Sequence, residues 1–181
     1  MIWFLLIGLI IVSLVLIFLV EEFFNLMFKG YAPVVSSKNK VLSEAVRQFN
    51  ELRLVDGAKI YELGCGRAGF LRKLEKTSQA KYDLIGVELI ASVYLLARLQ
   101  LSLLRSQIKL VRKDFLKMSL KDGDCFYCYL NAALMARLSL KLKQEAKSGA
   151  ILISNQFHLP GYEPIKEIKL GLTNYLRVYK L

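Results

Sequence analysis

No charged side chain occurs in the first twenty residues, MIWFLLIGLIIVSLVLIFLV, and no basic one before Lys29. Histidine occurs once, at His158, and cysteine three times, at Cys65, Cys125 and Cys128. An odd, sparse cysteine count builds no disulfide framework and suits a reducing compartment. Cys125 and Cys128 read C-x-x-C, but no second C-x-x-C or Cys/His pair completes a four-ligand metal site. They lie in the apolar run CFYCYL, and on a strand residues three apart point to opposite faces. The expected role is that of two small buried apolar residues, with redox or metal chemistry the minor alternative. Internal repeats and low-complexity linkers are absent as well.

What is present begins with length and charge. The 181 residues suit one domain plus a small extra segment. Residues 1–28 hold only Glu21 and Glu22, so they carry −2 of the net +11 and the remainder carries +13. A basic part joined to an apolar end fits an anionic lipid surface, and fits RNA almost as well. About 20 apolar residues in a helix cross the roughly 30 Å of a bilayer core. A cleaved signal peptide needs a basic start, a shorter apolar stretch and a small-x-small cleavage site, and residues 1–22 show none of these. The expectation is a retained anchor over residues 1–28, in contact with the lipid bilayer through residues 1–20. A connector over 29–37 and a domain over 38–181 follow. Lys29, Lys38, Lys40 and Arg47 follow the apolar run, so the positive-inside rule puts that domain on the cytoplasmic side, or its organellar equivalent, of a single-pass protein. Gly8 and Ser13 are not spaced as small-xxx-small, so no dimerisation face is evident.

In the connector, Gly30 and Pro33 act as breakers, and Ser36 and Ser37 are placed to cap the next helix. That helix carries Val41, Leu42, Ala45, Val46, Phe49 and Leu52 on one face. Strands and helices then alternate: strand 59–63, helix 69–77, strand 83–89, helix 91–105, strand 108–111, strand 124–130, helix 132–146 and strand 150–156. A hairpin turning near Thr173 and Asn174 closes the chain. The fold class expected is α/β, a doubly wound, Rossmann-like, mostly parallel sheet with a C-terminal antiparallel hairpin, preceded by one N-terminal transmembrane helix. Helix 91–105, ASVYLLARLQLSLLR, is apolar nearly all round. A deeply buried helix is the first expectation, and a face resting on a membrane the second.

The stretch YELGCGRAGFL contains G-x-G-x-x-G, at Gly64, Gly66 and Gly69, which by itself reads as a dinucleotide loop. Glu62 argues otherwise. A carboxylate beside the loop disfavours a pyrophosphate and favours a ligand ammonium. Glu88 closes the next strand, where a carboxylate accepts hydrogen bonds from ribose hydroxyls. Asp114 follows the third strand and is placed to accept from an adenine amino group. An ammonium, a ribose and an adenine without phosphate describe S-adenosyl-L-methionine.

ELGCGRAG followed by GVEL resembles motifs I and II of class I S-adenosylmethionine-dependent methyltransferases, over roughly residues 38–181. The apolar helix, the connector with Pro33, Ser36 and Ser37, motif I, and Asn155-Gln156-Phe157-His158-Leu159-Pro160 after the fifth strand are together similar to the small membrane-anchored protein-lysine methyltransferases. Mitochondrial members of that family methylate the ATP synthase c-subunit and the adenine nucleotide carrier. The resemblance implies that Glu62, Gly64, Cys65, Gly66, Glu88, Leu89, Asp114 and Phe115 hold the cofactor, that the connector folds over it, and that the substrate is a membrane protein. The match departs from the pattern at Glu62 and Cys65, where the family more often has Asp and Ser, and at Arg67, where it more often has an acid.

Methyl transfer from a sulfonium needs a neutral nucleophile in line, and a lysine amine must first lose a proton. Asn131 and His158 sit where the fourth and fifth strands open and are the catalytic candidates. Tyr127, Tyr129 and Tyr162 offer either an aromatic wall for a methylated ammonium or ordinary packing. The fourth strand ends in Leu130-Asn131-Ala132-Ala133 and lacks the Asn/Asp-Pro-Pro-Tyr/Phe of enzymes that methylate amino groups of nucleic acids, so a nucleic-acid partner ranks below a protein. A small lipophilic substrate, a non-catalytic cofactor-binding module and a nicotinamide dehydrogenase are the remaining readings.

Overall fold

A computed structural model describes residues 2–29, 37 and 39–181, with side chains described for 2–21, 37 and 39–181. Gly30, Pro33, Ser36 and Lys38 of the expected connector and basic flank lie outside the described residues. The chain divides into two compact units, Met1–Val34 and Val35–Leu181.

The first unit is a helix, α1 (Ile2–Lys29). It contains no proline and no glycine other than Gly8, so nothing interrupts it. Its segment Ile2–Glu21 has a mean hydropathy of 3.2 and none of it is buried. At 1.5 Å per residue those 20 residues cover about 30 Å. That length and composition suit a membrane span, and a signal sequence near an N-terminus passes the same test.

The second unit opens with α2 (Asn39–Glu51) and continues β1 (Lys59–Leu63), α3 (Gly69–Thr77), β2 (Asp83–Glu88), α4 (Ala91–Leu103), β3 (Lys109–Arg112), β4 (Cys125–Cys128), α5 (Ala132–Glu145), β5 (Ile151–Asn155), β6 (Lys166–Lys169) and β7 (Tyr175–Lys180). The seven strands form one sheet in the order β3-β2-β1-β4-β5-β7-β6. The first five are parallel, and β7 pairs antiparallel with both β5 and β6. The alternation read from the sequence thus gives the expected mixed α/β sheet with its antiparallel terminal pair. The chain runs outward from β1 to β3 on one side and from β4 to β5 on the other. The order therefore reverses between β1 and β4, and the crevice for a ligand lies beyond their carboxyl ends.

Both faces of the sheet are covered. Tyr127 on β4 stacks on Phe70 of α3 at 4.3 Å between ring centroids, while Cys128, the next residue, approaches Met135 of α5 at 3.6 Å. Successive residues of a strand point to opposite faces, so these two contacts put α3 on one side and α5 on the other. Phe49 of α2 packs edge-on to Phe70 and Tyr82, extending the core on the α3 side. Cys125 and Cys128 are fully buried, and burial raises the thiol pKa of both, that of Cys128 to about 12.

Two expectations fail. Ser37 does not cap α2, which begins at Asn39; its hydroxyl instead meets Tyr127 and Asn155. Helix α4 is not deeply buried. Val93, Ala97 and Leu101 face the core, while Leu95, Leu96, Leu99 and Leu103 are between 56% and 77% exposed. Composition could not show this, because both faces of the helix are apolar.

Candidate active site

The glycine loop starts directly after β1. Gly64 and Gly66 have φ of 67° and 53°, the left-handed region that a side chain disfavours. Ala68 adopts the same conformation (φ 52°) immediately before α3, in a fully buried position. Gly69 is the first residue of α3, and a Cβ there would come 3.2 Å from Leu42 of α2, so its small size serves helix packing. Cys65 is buried against Gly86 of β2, where a Cβ would fall 3.0 Å from its sulfur.

Two buried carboxylates hold this loop from inside. Glu62 points to the start of α3, where its two oxygens accept from the backbone N–H of Phe70 (3.3 Å) and Leu71 (3.1 Å). Glu88 accepts from Gly66 N–H at 2.9 Å through one oxygen, and from Leu89 and Ile90 N–H at 2.8 and 2.9 Å through the other. A helix N-terminus with free N–H groups is where a pyrophosphate would bind. Here the Gly66, Phe70 and Leu71 N–H groups already donate to the protein's own carboxyl groups, so a phosphate would have to compete with them for these donors. The donor set fits a ligand that brings cations and hydroxyls and no phosphate.

Burial raises the Glu62 carboxyl from an ordinary 4.5 to about 7. The N–H groups of Leu71 and Phe70 and the charge of Arg72 pull it partly back, and the neighbouring Glu88 pushes it up again. Glu62 is therefore a buried acid near its titration point at neutral pH, which a cation beside it would ionise. Burial likewise raises the Cys65 thiol, and both carboxylates add to the effect.

Asp114, two residues past β3, accepts from Leu116 N–H at 2.9 Å and so starts the short 3-10 turn Phe115–Lys117; Phe115 is buried. Asn131 caps α5 by accepting from Leu134 N–H at 2.9 Å. His158 is exposed, with Nδ1 3.2 Å from the Tyr179 hydroxyl. Tyr127 is only 1% exposed, which places it in the core and removes it from any aromatic wall; Tyr129 is partly exposed and stacks with Phe157 at 6.4 Å.

Sequence reasoning missed one cluster. The Ser37 hydroxyl lies 3.2 Å from the Tyr127 hydroxyl and accepts from Asn155 Nδ2 at 3.2 Å. The last residue of the connector is thereby tied to β4 and to the end of β5, 90 and 118 positions away in the chain. Only the Pro/Ser composition before α2 hinted at a role. Gln156 belongs to the segment already singled out after the fifth strand. It has φ 75°, and among the described residues its Oε1 is buried without a hydrogen-bond partner.

A model of the ANTKMT methyltransferase domain matches residues 62–166, more than half of the chain, beginning at Glu62 itself. This chain belongs to the ANTKMT methyltransferase domain family. As a member, it is an S-adenosylmethionine-dependent methyltransferase. A protein-lysine N-methyltransferase of Saccharolobus islandicus (strain REY15A) is 25% identical over 143 residues, covering 77% of this chain and 86% of that protein. Among solved structures, an RNA methyltransferase from Salinibacter ruber in complex with S-adenosyl-L-homocysteine superposes with a TM-score of 0.71 at 16% identity, over 81% of this chain and 93% of that one. A precorrin-6y C5,15-methyltransferase from Geobacter metallireducens GS-15 gives 0.61 at 15% identity, over 83% and 93%. At such identities these structures speak for the fold alone.

Proposed function

We propose that this member of the ANTKMT methyltransferase domain family is anchored in a membrane by α1 and methylates a lysine side chain of a protein at or in that membrane. The observation that carries the cofactor assignment is the pair of buried carboxyl groups, Glu62 and Glu88, which accept from the Gly66, Phe70 and Leu71 N–H groups of the glycine loop and helix start. The lysine assignment is supported by the likeness to a protein-lysine methyltransferase, and the anchor by the 20-residue apolar stretch.

In this reading Gly64, Cys65 and Gly66 let the backbone approach the methionine part of the cofactor, and Glu62 faces its ammonium. Glu88 and Leu89 serve the ribose, and Asp114 and Phe115 the adenine. Ser37, held by Tyr127 and Asn155, keeps the start of the domain against the mouth of β4 and β5. Bound S-adenosylmethionine supplies a sulfonium methyl group. The chain's own part is to hold the target Nζ in line with it. The target amine would lose a proton to solvent so that its Nζ lone pair is free to accept that methyl group. Positioning of this kind supplies much of the rate, so no strong base is required at Asn131 or His158.

The test is to incubate membranes that contain or lack the chain with methyl-labelled cofactor. Hydrolysed membrane protein should yield labelled methyllysine only when the chain is present. Label in RNA, or in solvent-extractable material, with none in protein would overturn the proposal.

A further inference from the structure

Helix α4 is built the opposite way to an ordinary surface helix. Its inward positions are filled mostly by small residues, Val93 and Ala97 with Leu101, and its outward positions by Leu95, Leu96, Leu99 and Leu103. At 100° per residue these four leucines share one stripe along the helix, and each is more than half exposed. Soluble monomers rarely leave such a contiguous apolar stripe in water. The outer face of α2 shows the ordinary solution: Arg47 bridges Glu44 and Glu51 there.

Along the chain the charges beside the stripe are of one sign, while in space Glu75 accepts from Ser106 and Gln107 just past the helix and Asp83 pairs with Lys109. From Leu89 to Lys113 the chain has no acidic residue, and it has Arg98, Arg105, Lys109, Arg112 and Lys113. Arg98 and Arg105 are exposed on and just after the helix. Leucines flanked by Arg98 and Arg105 match an anionic bilayer, where the apolar side chains enter the acyl boundary and the guanidinium groups meet phosphates. The apolar segment Ile2–Glu21 of the same chain favours a lipid surface over a protein partner as the occupant.

We infer that the outer face of α4 is a second membrane contact of the catalytic domain, resting on an anionic lipid surface through Leu95, Leu96, Leu99 and Leu103 with Arg98 and Arg105 at its edge. The inference rests on the proposed anchor, because seven residues, Gly30 to Ser36, are the whole link between α1 and Ser37 and reach about 25 Å at full extension. Such a contact would confine the domain to substrates close to the bilayer surface.

The three natural cysteines are buried, so an added exposed one can be labelled selectively. A nitrobenzoxadiazole probe is placed on the full-length chain at Leu99→Cys, at Leu140→Cys on the exposed side of α5 as a control, and at Ile11→Cys within α1. Each protein is reconstituted in phosphatidylcholine vesicles with or without phosphatidylglycerol, with brominated acyl chains as quencher. The expected result is quenching at 99 in the phosphatidylglycerol vesicles and none at 140. Quenching at 99 should weaken without phosphatidylglycerol and in the Arg98→Gln, Arg105→Gln variant. Quenching at 11 with none at 99 overturns the α4 contact and leaves the anchor standing; none at either position overturns both. Quenching at 99 that is equal in the two lipids overturns the anionic assignment. Shielding of 99 that depends on added protein or on chain concentration instead of lipid assigns the face to a protein partner or a second copy.

Discussion

Glu62→Gln tests the reading of the glycine loop most directly. Holding Glu62 ionised costs about 3 kcal/mol relative to an ordinary glutamate, because its carboxyl rises from 4.5 to about 7. The folded chain binds this proton more tightly than the unfolded chain does, so this group's contribution makes stability fall as pH rises from about 4.5 to 7 and stay level above. A ligand ammonium reverses the balance, since it is best held when Glu62 is charged. At pH 6 roughly one free molecule in ten has Glu62 ionised, so S-adenosylmethionine affinity should be about tenfold below its plateau and rise through pH 7. Calorimetric titrations at pH 6 and 7.5, in buffers of different ionisation enthalpy, would show this rise together with proton release on binding. Glu62→Gln should bind more weakly at pH 7.5 and lose most of the pH dependence. Alanine is the poorer variant, because it leaves the Phe70 and Leu71 N–H groups unpaired at about 1–3 kcal/mol each. A wild-type affinity flat between pH 6 and 7.5, or a glutamine variant that keeps the wild-type slope, would refute the argument.

Gly64→Ala should destabilise the domain by about 1–2 kcal/mol in urea unfolding, because φ is 67° and the new methyl would meet Leu130 at 3.2 Å. Cofactor affinity should fall with it. Glu88→Gln replaces a carboxylate that accepts three backbone N–H bonds by an amide with one acceptor oxygen, so a loss of about 2 kcal/mol is expected in the same assay. Ser37→Ala leaves the buried Asn155 amide without this acceptor, so unfolding should be easier by about 1 kcal/mol, and the apparent KM for cofactor should rise more than kcat falls.

Much of this was legible along the chain. The apolar run at the N-terminus, the alternation of strands and helices, and the terminal hairpin are local patterns of period and turn residues, and each reappears within a few residues of its expected bounds. The three carboxylates Glu62, Glu88 and Asp114 were legible too, as acids closing three successive strands. Their partners were not. The parallel pairing of β1 with β2 brings Glu88 to the Gly66 N–H, and the turn after β1 folds the start of α3 back onto Glu62. The sequence could therefore suggest through charge that the loop disfavours phosphate, and the structure adds that the Gly66, Phe70 and Leu71 N–H groups are already engaged.

The same division explains the misreadings. Tyr127 stayed open between an aromatic wall and ordinary packing, because a strand position alone does not say which layer covers it; stacking on Phe70, 57 residues earlier, put it in the core. Ser37 looked like a helix cap from its position, whereas contacts with β4 and β5 decided its role. Helix α4 was apolar on every side, so its periodicity carried no information about direction. By itself the sequence determined the order of elements and the chemistry of their ends, because both depend on near neighbours. The tertiary structure decided which groups those ends meet and which face of α4 stays outside, because these depend on strand register and layer packing between residues far apart in the chain.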